Sequence, residues 1–107
     1  MNTLNTEEQI CTDTLKLLGD FWSLRIISAL ASDALRFNEL QRTIDNCNPA
    51  TLTERLKRLE EAGLLQRTEE SVDKISVTYG LTKLGHMAMP IINAYNDFAL
   101  KAKTVKA

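Results

Sequence analysis

The sequence has few of the residues from which disulfide, metal or catalytic sites are built. Its 107 residues include two cysteines, Cys11 and Cys47, and one histidine, His86. Two cysteines outside a Cys-x-x-Cys pair are too few for a disulfide scaffold, and one histidine without suitably spaced partners makes no metal site. No glycine-rich phosphate loop and no recognisable Ser/His/Asp arrangement occurs. We therefore expect no cofactor, no metal ion and no enzymatic activity.

Long apolar runs are missing as well. No stretch approaches the ~20 apolar residues that a membrane-spanning helix needs. The segment from Met1 to Gln9 is polar and acidic, unlike the basic and then apolar pattern of a secretion signal. These features predict a cytoplasmic protein with no membrane partner. The length and the 44% apolar content predict one domain over residues 1–107.

The sequence also lacks an excess of positive charge. Its net charge is −1, whereas domains that bind nucleic acids usually carry a basic footprint. Net charge hides clustering, however, and Arg55, Lys57 and Arg58 lie within four positions of one another. The basic residues of the neighbouring predicted elements are Arg36, Arg42, Arg67 and Lys74.

What the sequence does contain is a regular succession of helical and strand patterns. Apolar residues at helical spacing predict helices from Thr6 to Leu18 and from Phe21 to Ala31, the second with Asp20 as its N-cap. A short strand is expected at Leu35 to Phe37. A short helix should follow, capped by Asn38 and ending near Ile44.

The clearest helix start is Asn48-Pro49, where a capping side chain precedes a proline at the first helical position. Leu52, Leu56 and Leu59 then form one apolar stripe, and Gly63 is a stop signal. We predict a helix from Pro49 to about Glu61.

The C-terminal part predicts a hairpin and a final helix. Alternating apolar and polar residues indicate strands at Leu64 to Thr68 and Ile75 to Leu81, joined by a polar tip from Glu69 to Lys74. The final helix should start at Thr82 or Lys83 and run to about Ala102. Pro90 predicts a bend or a late start within it.

This order predicts a mainly α fold with a small β-hairpin, namely a winged helix-turn-helix over residues 36–82 flanked by helices at about 6–31 and 83–102. The second helix of such a unit can enter a DNA major groove. Arg55 is the first candidate for a base or phosphate contact, because its planar fork binds bidentately. The predicted DNA-binding residues are Arg36, Ala50, Thr51, Thr53, Arg55, Lys57, Arg58 and Lys74.

The two flanking helices are both amphipathic, and the compact middle of the chain is too small to cover both of them. The stripe of the last helix could be core or dimer interface, and the second interpretation is favoured. The predicted interface residues are Ile10, Leu15, Met87, Ile91, Tyr95 and Phe98.

Five segments in order resemble the HxlR-type transcriptional regulators, which are relatives of the MarR group. The resemblance spans roughly Cys11 to Phe98 and implies a homodimer, built from the first and last helices, on a pseudo-palindromic operator in double-stranded DNA. The segments are Leu18-Gly19-Asp20-Phe21-Trp22, Arg36-Phe37-Asn38-Glu39-Leu40, Leu52-Thr53-Glu54-Arg55-Leu56-Lys57-Arg58-Leu59-Glu60, Gly63-Leu64-Leu65-Gln66-Arg67 and Tyr79-Gly80-Leu81-Thr82-Lys83-Leu84-Gly85.

The chain departs from this family pattern at three places. Family members often carry a redox-sensing cysteine about thirteen residues before the tryptophan, where this chain has Gln9; Cys11 is eleven residues before Trp22. The helix start Asn48-Pro49-Ala50 replaces a serine followed by polar or basic residues. The predicted hairpin is the wing of this fold. Its tip lacks a proline and is acidic, so we expect it to contact phosphate weakly.

Two questions stay open at this level. The input signal could be an oxidant acting on Cys11 or a small-molecule effector bound between the dimer helices and the DNA-binding part. The alternative function is a protein-interaction or dimerisation module without specific DNA binding, which the pI of 5.8 also fits.

Cys47 is expected to be a small buried apolar residue, and His86 to lie at the surface.

Overall fold

A computed structural model describes residues 6–71 and 75–106, with side chains for residues 12–71 and 76–106. The described residues form six helices and one antiparallel sheet. The elements are α1 (Thr6–Leu18), α2 (Phe21–Ala29), β1 (Leu35–Arg36), α3 (Phe37–Thr43), α4 (Pro49–Glu61), β2 (Leu65–Ser71), β3 (Ile75–Leu81), α5 (Lys83–Met87) and α6 (Met89–Lys106). The predicted fold class, a winged helix-turn-helix, is confirmed.

Helix α2 begins as its sequence predicts. The carboxylate of Asp20 accepts a hydrogen bond from the backbone N–H of Ser23 at 2.9 Å and so caps the helix. Ile26 and Ile27 are fully buried, which fixes the inner face of α2. The helix ends at Ala29, two residues earlier than predicted. Leu30 is the C-cap, with ψ of 4°, and the Ala31 N–H bonds to the carbonyl of Ser28, only three residues earlier.

The helix-turn-helix unit consists of α3, the turn at residues 44–48 and α4. Asn38 is not the cap of α3: the helix starts one residue before it, and the Glu39 carboxylate accepts from the Arg36 N–H at 2.9 Å instead. Asp45 and Asn46 adopt the left-handed conformation, with φ of 62° and 56°, which these two residue types tolerate. Helix α4 spans Pro49–Glu61, as predicted.

The sheet has the strand order β1-β3-β2. Strands β2 and β3 pair in register from Leu65↔Leu81 to Ser71↔Ile75, and β1 pairs with β3 through Leu35↔Tyr79 and Arg36↔Thr78. The predicted six-residue tip from Glu69 to Lys74 is wrong, since Glu69, Glu70 and Ser71 belong to the strand. This part of the hairpin is exposed on both faces, so polar side chains are as compatible with strand as with turn, and their polarity did not distinguish the two.

One apolar core joins the helices to the root of the hairpin. The stripe Leu52, Leu56 and Leu59 of α4 is almost fully buried, as predicted, and Cys47 is only 1% exposed. The other buried apolar residues are Leu17, Leu18, Ile26, Ile27, Leu30, Leu40, Ile44, Leu64, Leu65, Leu81, Ala88 and Ile92. The core therefore holds α4 by one face and leaves the opposite face in solvent.

The C-terminal helical segment is interrupted, as Pro90 predicts. Helix α5 ends at Met87, and α6 begins at Met89, so that Pro90 occupies an early position where its missing N–H breaks no bond. Thr82 caps α5 by accepting from the Gly85 N–H, and its hydroxyl donates to the Gly63 carbonyl at 2.6 Å. Helix α6 continues to Lys106, four residues beyond the predicted end.

Candidate nucleic-acid interface

The N-terminal end of α4 is the best-defined feature of the candidate interface. The Asn48 side-chain oxygen accepts from the backbone N–H of Ala50 at 2.8 Å and from that of Thr51 at 3.4 Å. Ala50 and Thr53 are exposed, and Thr51 is half-buried. The first turn thus offers small side chains to solvent. Its N–H groups are already bonded to Asn48, and Pro49 has none, so any contact with DNA here falls to the side chains.

The predicted basic residues of α4 share the solvent-facing side, apart from Arg55. Lys57 and Arg58 are exposed, and so is Arg36, the last residue of β1. The Arg58 Nε lies 3.9 Å from the Glu54 carboxylate, whereas no described carboxylate pairs with Lys57 or Arg36. Lys74 lies outside the described residues. The unpaired positive charge of this surface is therefore carried mainly by Lys57 and Arg36.

Arg55, the first candidate for a base or phosphate contact, is bonded to side chains of the protein itself. Its Nε donates to Asp20 Oδ2 at 2.8 Å and its Nη2 donates to Asp20 Oδ1 at 3.1 Å, while Nη1 pairs with Glu54. Its side chain is 21% exposed. The spacing holds the signal for this placement: Arg55 follows Leu52 by three residues and precedes Leu59 by four, so it borders the buried stripe.

The contacts of this pair set the charge states of both groups. Partial burial alone would raise the pKa of Asp20, but the hydrogen bonds from Arg55 and Ser23 outweigh it and hold the pKa below its usual value. The hydrogen bond to Asp20 raises the pKa of Arg55 against the opposing effect of burial. Burial raises the pKa of the Cys47 thiol, even though the Arg55 charge acts in the other direction.

A second ion pair ties α2 to the turn between α3 and α4. The Arg25 Nη2 lies 2.7 Å from Asp45 Oδ2, and the Asp45 side chain is largely exposed. The Gln41 side chain also donates to the Cys47 carbonyl at 2.8 Å. Sequence reasoning missed both contacts, because each joins residues that share no periodic pattern.

The predicted dimer residues whose side chains are described are all exposed. Phe98 is 71% exposed and Leu15 is 70% exposed, and Met87, Ile91 and Tyr95 of the same stripe are exposed too. The side chains of Ile10 and Cys11 lie outside the described residues. A groove of about 570 Å³ separates α6 from α2 and the end of α3, with Leu24, Ile92 and Tyr95 among its walls.

The part of the chain that the structure describes shows neither a membrane-spanning helix nor a metal-binding cluster. No helix there combines the length and apolar character needed to cross a bilayer. Within the same ranges, no three His, Cys, Asp or Glu side chains are grouped so that they could hold a metal ion.

Comparison with known proteins connects this geometry to a family. An HTH-type transcriptional regulator of Halalkalibacterium halodurans is 37% identical over 89 residues, which is 82% of this chain and 79% of that protein. The reduced form of the redox regulator HypR superposes with a TM-score of 0.78 at 26% identity, covering 86% of this chain and 91% of that one. A MarR-family transcriptional regulator of Porphyromonas gingivalis W83 superposes with a TM-score of 0.77 at 27% identity, covering 92% and 97%.

The model of one family matches most of the sequence, over residues 17–106, and is described as HxlR-like helix-turn-helix. The relatives found are transcriptional regulators and not enzymes. This chain therefore belongs to the HxlR-like helix-turn-helix family of transcriptional regulators.

Proposed function

We propose that the protein is a sequence-specific DNA-binding transcriptional regulator that acts as a cytoplasmic homodimer on a pseudo-palindromic operator. The observation that carries the proposal is the uncovered first turn of a capped α4, held in a helix-turn-helix unit by its leucine stripe. Ala50, Thr51 and Thr53 approach base edges, and Lys57, Arg58 and Arg36 hold phosphates. Two copies of α4 enter successive major grooves about 34 Å apart.

The homodimer is supported by the apolar stripe of α5 and α6 together with α1. Large exposed apolar side chains that lie at helical spacing mark an interaction surface when they form one patch. A second copy of the same chain offers a matching patch, and two-fold pairing is the commonest way in which such surfaces are covered. The same symmetry presents two α4 helices to a two-fold symmetric DNA site.

The first experiment measures DNA binding directly. Duplexes of about 30 bp, enough for two half-sites and their flanks, are selected from a random pool by the full chain and tested by fluorescence anisotropy. We expect the selected duplexes to bind more tightly than random ones. A chain that binds neither kind of duplex at low salt would instead be the protein-interaction module, which the pI of 5.8 and the paired charges of Arg55 and Arg58 also fit.

Salt dependence tests the role assigned to Lys57. Few of the described residues at the proposed DNA site carry an unpaired positive charge, so affinity should fall only modestly as salt rises. Lys57→Ala should lower the slope of log affinity against log salt by about 1, because one phosphate contact is lost. Lys103→Ala removes the same charge from α6 and should leave the slope unchanged. Equal slopes for the wild type and Lys57→Ala would remove Lys57 from the interface.

The input signal is proposed to be an oxidant or a small molecule. HypR, to which the chain is similar, is a redox regulator, and Cys11 is the thiol through which an oxidant would act. Burial and the raised pKa argue against Cys47 as the reactive thiol. Cys11→Ser should abolish the release of DNA by oxidant. Unchanged release in that variant would exclude the thiol switch and favour an effector in the groove between α2 and α6.

A further inference from the structure

The carboxylate of Asp20 joins the start of α2 to the middle of α4. Oδ2 accepts from the Ser23 N–H at 2.9 Å, from the Ser23 hydroxyl at 3.0 Å and from Arg55 Nε at 2.8 Å. Oδ1 accepts from Arg55 Nη2 at 3.1 Å. One side chain thus caps a helix of the scaffold and binds the guanidinium of the proposed recognition helix through two parallel hydrogen bonds.

This ion pair is more shielded and better aligned than the others in the described part of the chain. The side chains of Asp20 and Arg55 are 24% and 21% exposed, and Ser23 beneath them is fully buried. Arg25 and Asp45, by comparison, pair through a single contact in solvent. A bidentate charged pair away from solvent is strong and directional, and loss of one partner leaves the other charge uncompensated.

The leucine stripe of α4 sets which face of the helix is buried. Hydrophobic burial is itself non-directional, whereas a bidentate charged hydrogen bond has a defined geometry. Arg55 lies at the edge of that stripe. Its two hydrogen bonds to Asp20 join this edge of α4 to the start of α2 at a second, directional point of attachment, on the same helix as Thr51 and Lys57.

We propose that Asp20, acting through Arg55, is a positioning residue for DNA recognition and sets the rotation of α4 against the scaffold. The proposal rests on the proposed function as a DNA-binding regulator. In this proposal Arg55 supports DNA binding indirectly. A bidentate hydrogen bond from Arg55 to a base would require its guanidinium to leave Asp20. That departure would strand a partly buried carboxylate whose pKa is already held low by the pair.

The test compares Asp20→Asn with a matched control. Asparagine caps helices as well as aspartate does, so α2 keeps its N-cap while the charged pair is lost. Asp45→Asn makes the same change of charge and breaks the other ion pair of α2, at a left-handed residue that asparagine tolerates. Arg55→Lys keeps the positive charge but removes the bidentate fork. Each full-length variant is titrated with a duplex selected by the wild type and with a random duplex.

Asp20→Asn should weaken binding to the selected duplex by about tenfold. Its affinity for the random duplex should differ by less than about twofold from that of Asp45→Asn. Arg55→Lys should lose the same part of the preference for the selected duplex over the random one. The double variant Asp20→Asn/Arg55→Lys should bind no more weakly than the weaker single variant, because the two residues act as one unit. Asp45→Asn should keep the full preference for the selected duplex.

Three outcomes would overturn the proposal. A double variant whose fold loss of affinity for the selected duplex equals the product of the two single-variant losses would show that the two residues act independently. A loss of affinity for both duplexes in Arg55→Lys, with Asp20→Asn harmless, would make Arg55 a direct DNA contact. A loss in Asp20→Asn that follows the folded fraction measured by circular dichroism would make the pair structural only. If the wild type itself selects no duplex, the proposed function fails first and the positioning role fails with it.

Discussion

Replacing Gly85 with alanine is expected to destabilise the fold by about 3 kcal/mol or more, since a backbone overlap is among the most severe forms of overpacking. A Cβ at this position would overlap the carbonyl oxygen of Leu64 and press on Leu81 Cδ2 at 3.1 Å. The Leu64 backbone cannot retreat without cost: its N–H donates to Leu59 at 2.9 Å, and its carbonyl accepts from Thr82 at 3.1 Å. Urea unfolding followed by circular dichroism measures the effect.

Gly80→Ala is the matched control for this substitution. Its added Cβ would sit 3.4 Å from the Ala34 Cβ, an ordinary contact, and Gly80 has no left-handed φ. We expect a change in the free energy of unfolding within about 0.5 kcal/mol. A Gly85→Ala protein as stable as Gly80→Ala would mean that α5 does not pack against the root of the hairpin as described.

If the proposed homodimer forms through this stripe, Phe98→Glu is expected to convert it to a monomer and to weaken binding to the selected duplex at least about a hundredfold, because the linkage of two half-site contacts is lost. Phe98 is 71% exposed in the single chain, so a glutamate there is well solvated and the chain should stay folded. At a dimer interface the same carboxylate would be buried without a partner. Analytical ultracentrifugation and anisotropy measure the two effects.

Asn93→Glu adds the same charge to α6 away from this stripe. Asn93 is exposed and lies two residues from Ile91 and from Tyr95, which places it on the opposite side of the helix. Asn93→Glu should leave both the proposed dimer and DNA binding unchanged. A Phe98→Glu chain that still sediments as a dimer would exclude this face as the interface.

The sequence predicts the elements that rest on local signals. The Asn48-Pro49 start, the leucine stripe and the Gly63 stop determine α4 to the residue, because capping, periodicity and a left-handed C-terminal residue all act within one or two turns. The Asp20 cap and the interruption near Pro90 follow from the same kind of local chemistry. These features were enough to order the helix-turn-helix unit.

Contacts between distant parts of the chain were not predictable in this way. The partner of Arg55 lies 35 residues upstream and has a complete local role as a cap, so nothing in its own segment reveals the second contact. The length of the hairpin was missed because Glu69, Glu70 and Ser71 pair through their backbones, which polarity does not report. The edge strand β1 was expected as a short strand, but its pairing with β3 depends on the tertiary fold.

In the described part of the hairpin, packing against the rest of the fold is concentrated at its root. Of β2, Leu65 alone is buried, and β1 reaches no further along β3 than Thr78 and Tyr79. Seven residues of strand extend about 24 Å, so a rotation of about 10° at the root moves the far end by about 4 Å. The backbone amides of the hairpin far from its root should therefore exchange with solvent long before those at Leu65 and Leu81, while the helical core stays folded.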